Sequence, residues 1–190
     1  MCAVSIAAVV LAAGASTRLG HAKQTLLIRG ESLVVRAARI ASEAGCAPVI
    51  VVVNATVDVG HSLQGCGCLV IVNEDAAEGM ASSIRCGIKA ALQLKASGAI
   101  VMTCDQPGVD AAHLHALSAE SERMTGSEYA GRLGVPAYFP ASAFAALLAL
   151  RGDAGARELL RGARSIVQEA LALDIDTEAD FRAALKIFEV

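Results

Sequence analysis

A stretch of small residues that carries two basic side chains lies near the beginning of the sequence. It reads Leu11-Ala12-Ala13-Gly14-Ala15-Ser16-Thr17-Arg18-Leu19-Gly20, and Lys23 follows three residues later. Glycine and other small residues let backbone amide groups approach an anion closely, and Arg18 and Lys23 add positive charge. The pattern therefore predicts a loop that binds a polyphosphate, although a glycine turn with two solvated basic side chains has the same spacing.

Two familiar phosphate-binding motifs do not fit this stretch. A P-loop carries lysine and then serine or threonine directly after its second glycine, whereas His21 and Ala22 follow Gly20. The glycine pattern of dinucleotide-binding proteins cannot be drawn through Gly14. The predicted loop therefore belongs to neither class.

A second polar segment lies at residues 73–83, directly before a predicted long helix. It reads Asn-Glu-Asp-Ala-Ala-Glu-Gly-Met-Ala-Ser-Ser. Gly79 frees the backbone, and Ser82 and Ser83 lie where hydroxyl groups and first-turn amides either cap a helix or face a ligand. Capping alone accounts for one of the two serines, so both roles stay open.

A third segment brings a carboxylate to the end of an apolar strand. Residues 101–107 read Val-Met-Thr-Cys-Asp-Gln-Pro, so Asp105 follows the predicted strand directly. A carboxylate in this place is suited to hold Mg²⁺ against phosphate oxygens, because Mg²⁺ prefers oxygen ligands. A turn or cap residue before Pro107 is the alternative. The neighbouring Cys104 is predicted to be a packed thiol and not a nucleophile.

The three segments follow predicted strands of an α/β protein. Strands are predicted from apolar runs at residues 7–11, 48–53, 69–72, 99–103, 136–139 and 165–168. Helices are predicted at residues 32–44, 80–94, 111–123, 141–150, 154–161 and 178–188. The run 49–53 is apolar throughout, as expected when helices cover both faces of a parallel sheet. We therefore expect a doubly wound, mostly parallel sheet that binds ligands beyond the carboxyl ends of its strands.

Length, charge and hydropathy limit the class of protein. A chain of 190 residues is long enough for one sizeable core, and we expect a single domain over residues 1–190. The formal net charge of -3 argues against binding to nucleic acid, which needs clustered positive charge. The apolar stretch 3–13 has about 11 residues, well below the roughly 20 that cross a bilayer, so we expect a buried strand and no membrane segment.

Cysteine and histidine side chains form no recognisable metal site or disulfide framework. The spacing of the six cysteines suggests no paired framework, which favours a reducing compartment, and we expect a cytoplasmic protein. Cys66 and Cys68 could ligate a soft metal, but a zinc site normally needs four ligands and only His61 lies close by. Two thiols in a turn before a strand are the simpler interpretation. Surface or packing roles are predicted for all four histidines, His21, His61, His113 and His115.

The three polar segments together resemble the signature elements of an enzyme family. The pattern Leu-Ala-Ala-Gly-x-Ser-x-Arg-x-Gly-x-x-Lys over residues 11–23 is similar to the signature loop of nucleotidyltransferases with a Rossmann-like fold. The likeness is strongest to the molybdenum cofactor cytidylyltransferases and their guanylyltransferase relatives. Residues 78–83 are similar to the family's loop that meets the nucleotide, and residues 105–107 are similar to its metal-binding element.

The resemblance implies a Rossmann-like, three-layer fold of the nucleotide-diphospho-sugar transferase type and a nucleotidyltransferase activity. Such an enzyme uses Mg²⁺ to transfer CMP from CTP to molybdopterin with release of pyrophosphate, and a molybdoenzyme receives the product. CTP is expected because the guanylyltransferase relatives more often carry glycine at the position of Ala13. Catalytic roles are implied for Arg18, Lys23 and Asp105. Nucleotide-binding roles are implied for Leu11, Ala12, Ala13, Gly14, Ser16, Arg18, Lys23, Gly79, Ser82 and Ser83.

Segments near the C-terminus extend the resemblance. Residues 131–136, 152–157 and 174–177 also match family segments, and Asp174 and Asp176 are the candidates for a second metal ligand beside Asp105. Alternation along an extended segment 174–176 aims both carboxylates to one side. A solvated turn with a helix cap is the alternative. One departure from the family is Thr-Glu-Ala-Asp at 177–180, where relatives usually read Thr-Pro-Glu-Asp.

Two other functions fit the same residues. The chain could act on a sugar phosphate or another small phosphorylated alcohol, since the first loop and Asp105 suit any such acceptor. It could also be a nucleotide-binding accessory protein that delivers a cofactor without catalysing transfer. Pyrophosphate release from each triphosphate, with and without molybdopterin, distinguishes the three.

Overall fold

The structure, a computed structural model, describes residues 5–14, 19–56 and 59–188. Its strands are β1 (Ile6–Ala12), β2 (Leu27–Ile28), β3 (Glu31–Ser32), β4 (Val49–Asn54), β5 (Leu69–Asn73), β6 (Gly98–Thr103), β7 (Thr125–Tyr129), β8 (Arg132–Pro140) and β9 (Arg164–Val167). Its α-helices are α1 (Leu33–Glu43), α2 (Gly60–Leu63), α3 (Met80–Gln93), α4 (Ala111–Leu117), α5 (Phe144–Ala149) and α6 (Glu178–Phe188). Among the described residues, no helix is both long enough and apolar enough to cross a membrane.

A seven-stranded sheet in the order β5-β4-β1-β6-β8-β7-β9 forms the centre of the fold. The strands β5, β4, β1 and β6 run parallel, whereas β8 runs antiparallel to both β6 and β7. Along the chain, β4 and β5 are added on one side of β1 and β6 is added on the other side. This reversal of strand order next to β1 is the place where doubly wound sheets bind ligands, beyond the carboxyl ends of the strands.

The side chains of β1 alternate between two hydrophobic cores. Ala8 and Val10 pack into one core, which α1 and α4 cover, and Ala7 and Val9 pack into the other, which α3 and α5 cover. Because both faces of the strand are buried, its sequence is apolar throughout. The mostly parallel sheet between two layers of helices confirms the predicted α/β fold class.

Helix α3 lies close against the sheet at Gly87. A Cβ atom at this position would collide with Cγ1 of Val9, so glycine is what allows the helix to approach β1. The amino terminus of α3 faces the carboxyl ends of the strands, and the close packing therefore fixes where the second polar segment lies.

A third, smaller core attaches the C-terminal helix α6 to the first third of the chain. Ile175 and Ala184 are fully buried there against Leu26 and Leu33. The helix begins without proline: Asp180 Oδ2 accepts the backbone N–H of Thr177 at 2.8 Å, and Thr177 Oγ1 accepts the backbone N–H of Asp180 at 3.3 Å. This reciprocal capping box explains why the departure from Thr-Pro-Glu-Asp leaves the predicted helix 178–188 intact.

Several predicted bounds in the second half of the chain are wrong. The helix predicted at 111–123 ends at Leu117, because residues 119–123 are exposed and offer no buried face that could stabilise further turns. Residues 154–161 form only a short 3-10 helix, Ala156–Leu160, and the helix predicted at 141–150 is the 3-10 turn Ala141–Ala143 followed by α5. The hairpin of β2 and β3 and the strand β7 were not predicted.

Candidate active site

A cavity of about 620 Å³ lies at the carboxyl ends of β1, β4, β5 and β6. This is the edge of the sheet at which the three polar segments were expected to meet, and each of them contributes to the wall. The predicted site residues that line the cavity are Leu11, Ala12, Ala13, Gly14, Lys23, Gly79, Ser83 and Asp105. Two further residues of the prediction, Ser16 and Arg18, lie outside the described residues.

Lys23 reaches the far side of the cavity from the 3-10 helix Lys23–Thr25 that follows the first loop. Its Nζ contacts Asp105 Oδ2 and lies 2.9 Å from Asp176 Oδ1. Burial lowers the pKa of the lysine, but the charges and hydrogen bonds of Asp105 and Asp176 outweigh burial, and the pKa lies above its ordinary value. The side chain is therefore a permanent cation at the floor of the site.

Asp105 stands two residues after the end of β6, at the carboxyl end of the strand as predicted, and is only 8% exposed. One carboxylate oxygen, Oδ2, contacts Lys23, whereas Oδ1 is buried and has no hydrogen-bond partner among the described residues. A buried carboxylate oxygen without a partner is costly unless a cation or a donor satisfies it. A divalent cation bound to Oδ1 would meet this need, so the residue fits the predicted metal-binding role.

Asp174 and Asp176 are brought to Asp105 by the segment before α6. The backbone N–H of Ile175 donates to the carbonyl of Asp105 at 3.0 Å, and the Ile175 side chain is fully buried, as the predicted alternation requires. Burial, followed by the charges of Asp105 and Asp176, raises the pKa of Asp174 to about 7. Thr177 and Asp180 form the capping box of α6, so this role does not fall to Asp174 or Asp176.

The metal-ligand set that these carboxylates offer is small. Within residues 5–14, 19–56 and 59–188, no group of three or more histidine, cysteine, aspartate or glutamate side chains is arranged to hold a metal ion. Mg²⁺ commonly takes one or two protein carboxylates and fills its octahedron with water and substrate phosphate. Asp105 with one partner is compatible with that mode of binding.

The second polar segment is held against residues 152–153. Gly79 has φ +116°, and a Cβ atom there would lie 2.5 Å from Asp153 Oδ1 and 2.6 Å from the carbonyl carbon of Gly152. The backbone N–H of Ala81 donates to the carbonyl of Gly152 at 3.0 Å. Only glycine accommodates both this backbone conformation and this close approach.

Ser82 and Ser83 have different surroundings. Nδ2 of Asn73 donates to both hydroxyl oxygens, at 2.8 Å and 2.9 Å, and the Ser82 hydroxyl donates to the carbonyl of Gly79 at 2.8 Å. Ser83 lines the cavity, but Ser82 does not. The Ser82 hydroxyl therefore bonds back to the start of α3 and caps no amide, and Ser83 is the serine that faces the cavity.

Cys104 lines the cavity beside Asp105 and is buried. Burial, and then the charge of Asp105, raises the pKa of its thiol far above the ordinary value, so the group stays protonated. A protonated thiol is a weak nucleophile, in agreement with the predicted packing role. Cys66 Sγ lies 3.8 Å from the carbonyl oxygen of Ser62, which fits a thiol in a turn.

Several polar residues that line the cavity had no predicted role, among them Gln24, Asn54, Asn73 and Asp153. A signal for the two asparagines was present in the sequence, because each one ends an apolar strand, β4 or β5, and they are register partners. Gln24 could have been found as the neighbour of Lys23. Asp153 lies in the segment 152–157 that resembles the family, but its close approach to Gly79 arises only through the fold.

Comparison with known proteins identifies the domain. Residues 8–170 match the family model of the MobA-like NTP transferase domain. The chain belongs to this family. A MobA-like NTP transferase domain implies a nucleoside triphosphate as substrate and a phosphorylated acceptor, and the described residues that line the cavity all lie within the matched residues.

Curated relatives of this MobA-like protein carry different names. Purine catabolism protein PucB of Bacillus subtilis is 30% identical over 192 residues, which cover 91% of this chain and 92% of that protein. A "probable molybdenum cofactor guanylyltransferase" of Opitutus terrae is 30% identical over 176 residues, with 90% and 80% covered. Nicotine blue oxidoreductase of Paenarthrobacter nicotinovorans is 32% identical over 190 residues, with 90% and 92% covered. The relatives thus share one domain and carry names of different functions.

Several solved structures share the fold of this MobA-like protein. Rv0371c from Mycobacterium tuberculosis is 30% identical, with a TM-score of 0.81 over 98% of this chain and 100% of that chain. Its complex with manganese has 27% identity and a TM-score of 0.74, with 96% and 98% covered, and supports the use of a divalent metal in the family. A nucleotidyl transferase from Methanothermobacter, 24% identical with a TM-score of 0.83 and with 97% and 98% covered, agrees in fold.

Proposed function

We propose that this protein is a Mg²⁺-dependent cytidylyltransferase that transfers CMP from CTP to molybdopterin and releases pyrophosphate. The observation that supports it most directly is the contact of Lys23 with Asp105 at the floor of a cavity that the first loop and the amino terminus of α3 also line. We place the reaction in the cytoplasm and in one domain over residues 1–190, and a molybdoenzyme receives the product.

The reaction joins a phosphate oxygen of the acceptor to the α-phosphorus of the triphosphate. The bond between the α-phosphorus and the oxygen that bridges to the β-phosphorus breaks, and pyrophosphate leaves with the electron pair. Transfer of this kind asks a protein mainly for positioning and charge stabilisation. Lys23 supplies a fixed positive charge for the triphosphate, and the buried thiol of Cys104 takes no part.

Mg²⁺ is the proposed metal, and Asp105 would hold it through the carboxylate oxygen that has no hydrogen-bond partner among the described residues. Bound there, Mg²⁺ would neutralise charge on the phosphate oxygens. Asp174 and Asp176 are the candidates for the second carboxylate, since the charge of Asp105 acts on Asp174 and Asp176 contacts the same lysine as Asp105. Asp176 also contacts Lys23, so this aspartate helps to hold the lysine at the metal-binding end of the cavity.

The choice of CTP rests on Ala13. This residue lines the cavity and is 9% exposed, so its methyl group occupies space that a glycine would leave free. The larger guanine base is expected to be the poorer ligand for this reason, and the family resemblance favours the same assignment. If GTP gave the higher kcat/KM at saturating acceptor, the cytidylyl assignment would be wrong.

One experiment separates the proposed function from its alternatives. The purified protein is incubated with Mg²⁺ and each of CTP, GTP, ATP and UTP, with and without molybdopterin, and pyrophosphate is measured. We expect release only with CTP and molybdopterin together. Release with a sugar phosphate in place of molybdopterin would indicate a different acceptor, and tight CTP binding without any release would indicate an accessory protein.

A further inference from the structure

Three successive backbone carbonyls of the first loop are held by two side-chain amides. Gln24 Nε2 donates to the carbonyl of Ala12 at 2.7 Å and to that of Gly14 at 3.1 Å. Asn54 Nδ2 donates to the carbonyl of Ala13, which lies between them, at 3.0 Å. We propose that Gln24 and Asn54 are positioning residues that fix the peptide groups of this loop for the nucleoside triphosphate. The inference rests on the proposed nucleotide site.

The direction of each amide is determined by its partners. A carbonyl oxygen only accepts hydrogen bonds, so the atom of Gln24 that lies between two carbonyls must be the nitrogen. Asn54 Oδ1 accepts from the backbone N–H of Thr56 at 2.9 Å and from its hydroxyl at 2.7 Å, which leaves Nδ2 for Ala13. Gln24 and Asn54 are 1% and 9% exposed, so water competes little for these bonds.

Holding the carbonyls also fixes the N–H groups of the loop. In a planar trans peptide the carbonyl and the following N–H point in opposite directions. The bonds to the carbonyls of Ala12 and Ala13 therefore set the directions of the N–H groups of Ala13 and Gly14. Peptide donors that are already oriented bind an anionic ligand without a cost for ordering the loop.

The loop that these amides hold borders open space. A Cβ atom built on Gly14 would have no neighbour within 4 Å among the described residues, and Ala12, Ala13 and Gly14 all line the cavity. Gln24 directly follows Lys23 in the 3-10 helix Lys23–Thr25. One short helix therefore positions both the Lys23 ammonium group beside Asp105 and, through Gln24, the backbone of the loop.

Two variants remove the donors with little change of shape. Gln24→Met removes the amide, and Asn54→Leu removes the other donor without adding a charge to the cavity that Asn54 lines. Gln168→Met is the matched control, because Gln168 also donates from its side-chain amide, to Asp110 at 3.1 Å, and does not line the cavity. The affinity for CTP and for GTP is measured by calorimetry with Mg²⁺, well below the midpoint of thermal unfolding of each protein.

We expect Gln24→Met and Asn54→Leu to raise the Kd of the triphosphate that the parent binds by about tenfold, on the scale of one or two lost hydrogen bonds. The KM for that triphosphate should rise likewise while the KM for the acceptor is unchanged, and Gln168→Met should equal the parent. A purely structural role would lower only the fraction of active protein, and so kcat and the binding stoichiometry, with Kd and KM unchanged.

Three results would overturn the proposal. If both variants have the same Kd and KM as the parent, the amides do not position the loop for the nucleotide. The same conclusion follows if the variants differ from the parent only in binding stoichiometry and kcat. If Gln24→Met does not fold, Asn54→Leu decides alone by the same criterion. A parent that binds neither CTP nor GTP would overturn this inference together with the proposed function. If the parent binds a triphosphate and both variants bind it with the same Kd and KM as the parent, only the inference is overturned.

Discussion

Lys23 is the residue on which the polar groups of the cavity converge, because its ammonium group contacts both Asp105 and Asp176. We expect Lys23→Ala to lower kcat/KM for the triphosphate by roughly tenfold to a thousandfold, on the scale of a lost contact between charged groups. The fold should survive, since the side chain lies at the wall of a cavity and not in a core. Steady-state kinetics on the purified variant measure the effect.

The control for this substitution is Lys89→Ala, because Lys89 is exposed on α3. Its kcat/KM should equal that of the parent. On the basis of the sequence, we expect Arg18→Ala to lower kcat/KM for the triphosphate by the same factor as Lys23→Ala. A Lys23→Ala variant that bound CTP and turned over normally would show that the lysine has no role in triphosphate binding.

The three carboxylates make separable predictions. Asp105→Asn should abolish turnover, because the amide cannot replace the negative charge that a metal requires. One of Asp174→Asn and Asp176→Asn should raise the Mg²⁺ concentration for half-maximal activity sharply, and a titration with Mg²⁺ on all three variants measures this. If both of the latter kept parental activity and Mg²⁺ dependence, Asp105 would be the only protein carboxylate on the metal.

At the scale of elements, α4 is fixed to the sheet through a buried histidine. His113 is 6% exposed, and its Nε2 lies 2.7 Å from Ser127 Oγ, which itself donates to the carbonyl of Pro136 at 2.5 Å. The serine hydroxyl has one proton, so the histidine must be the donor in this chain of hydrogen bonds. Burial, opposed by the charge of Asp110, lowers the pKa of His113 below its ordinary value of 6.5.

This buried histidine should make stability depend on pH. The unfolded chain takes up the His113 proton near pH 6.5 and the folded protein only at lower pH, so stability is lost as pH falls through this interval. The loss reaches at most about 1.4 kcal/mol per pH unit. Urea unfolding between pH 7.5 and 5 should show a shallower decline for His113→Gln than for the parent.

His115→Gln provides the comparison, because His115 is exposed on the same helix. It should follow the parental pH dependence. A His113→Gln protein with the same slope as the parent would show that the folded protein takes up this proton as readily as the unfolded chain.

The elements differed in how well the sequence predicted them, for physical reasons. β1 and β4 are buried on both faces and α3 has a clear apolar stripe, so local pattern and tertiary packing agree. By contrast, β7 reads Thr-Gly-Ser-Glu-Tyr, and its burial comes from its partners β8 and β9. Long-range pairing of this kind leaves no periodicity in the strand itself.

The residues of the candidate site also differ in whether the sequence could predict them. Lys23, Asp105, Gly79 and Ser83 follow strands or begin a helix, and the fold class alone places such residues at one edge. The role of Gln24 depends on the fold of a loop, and that of Asp153 on a contact with Gly79 from a distant part of the chain. Neither feature can be read from spacing.

At the scale of the whole molecule, the C-terminal segment completes the site from outside the region that matches the family model, which ends at residue 170. Ile175 attaches this segment to the site, because its side chain is fully buried and its N–H donates a hydrogen bond to the carbonyl of Asp105. We expect Ile175→Ala to lower the free energy of unfolding by about 2–5 kcal/mol, the usual cost of such a cavity. Urea denaturation measures it.

Ile187→Ala in α6 is the matched control, since Ile187 is 61% exposed and should cost less than about 0.5 kcal/mol. Equal effects of the two substitutions would contradict the tight packing of the C-terminal segment against the site.

The most direct test of the central claim follows the nucleotide itself. CTP labelled at the α-phosphate is incubated with Mg²⁺, molybdopterin and either the parent or the Asp105→Asn variant, and the label in the acceptor is counted against the pyrophosphate released. We expect one labelled CMP on molybdopterin for each pyrophosphate with the parent, and none with Asp105→Asn. A parent that transfers no label, or an Asp105→Asn variant that transfers it normally, would contradict cytidylyl transfer at this site.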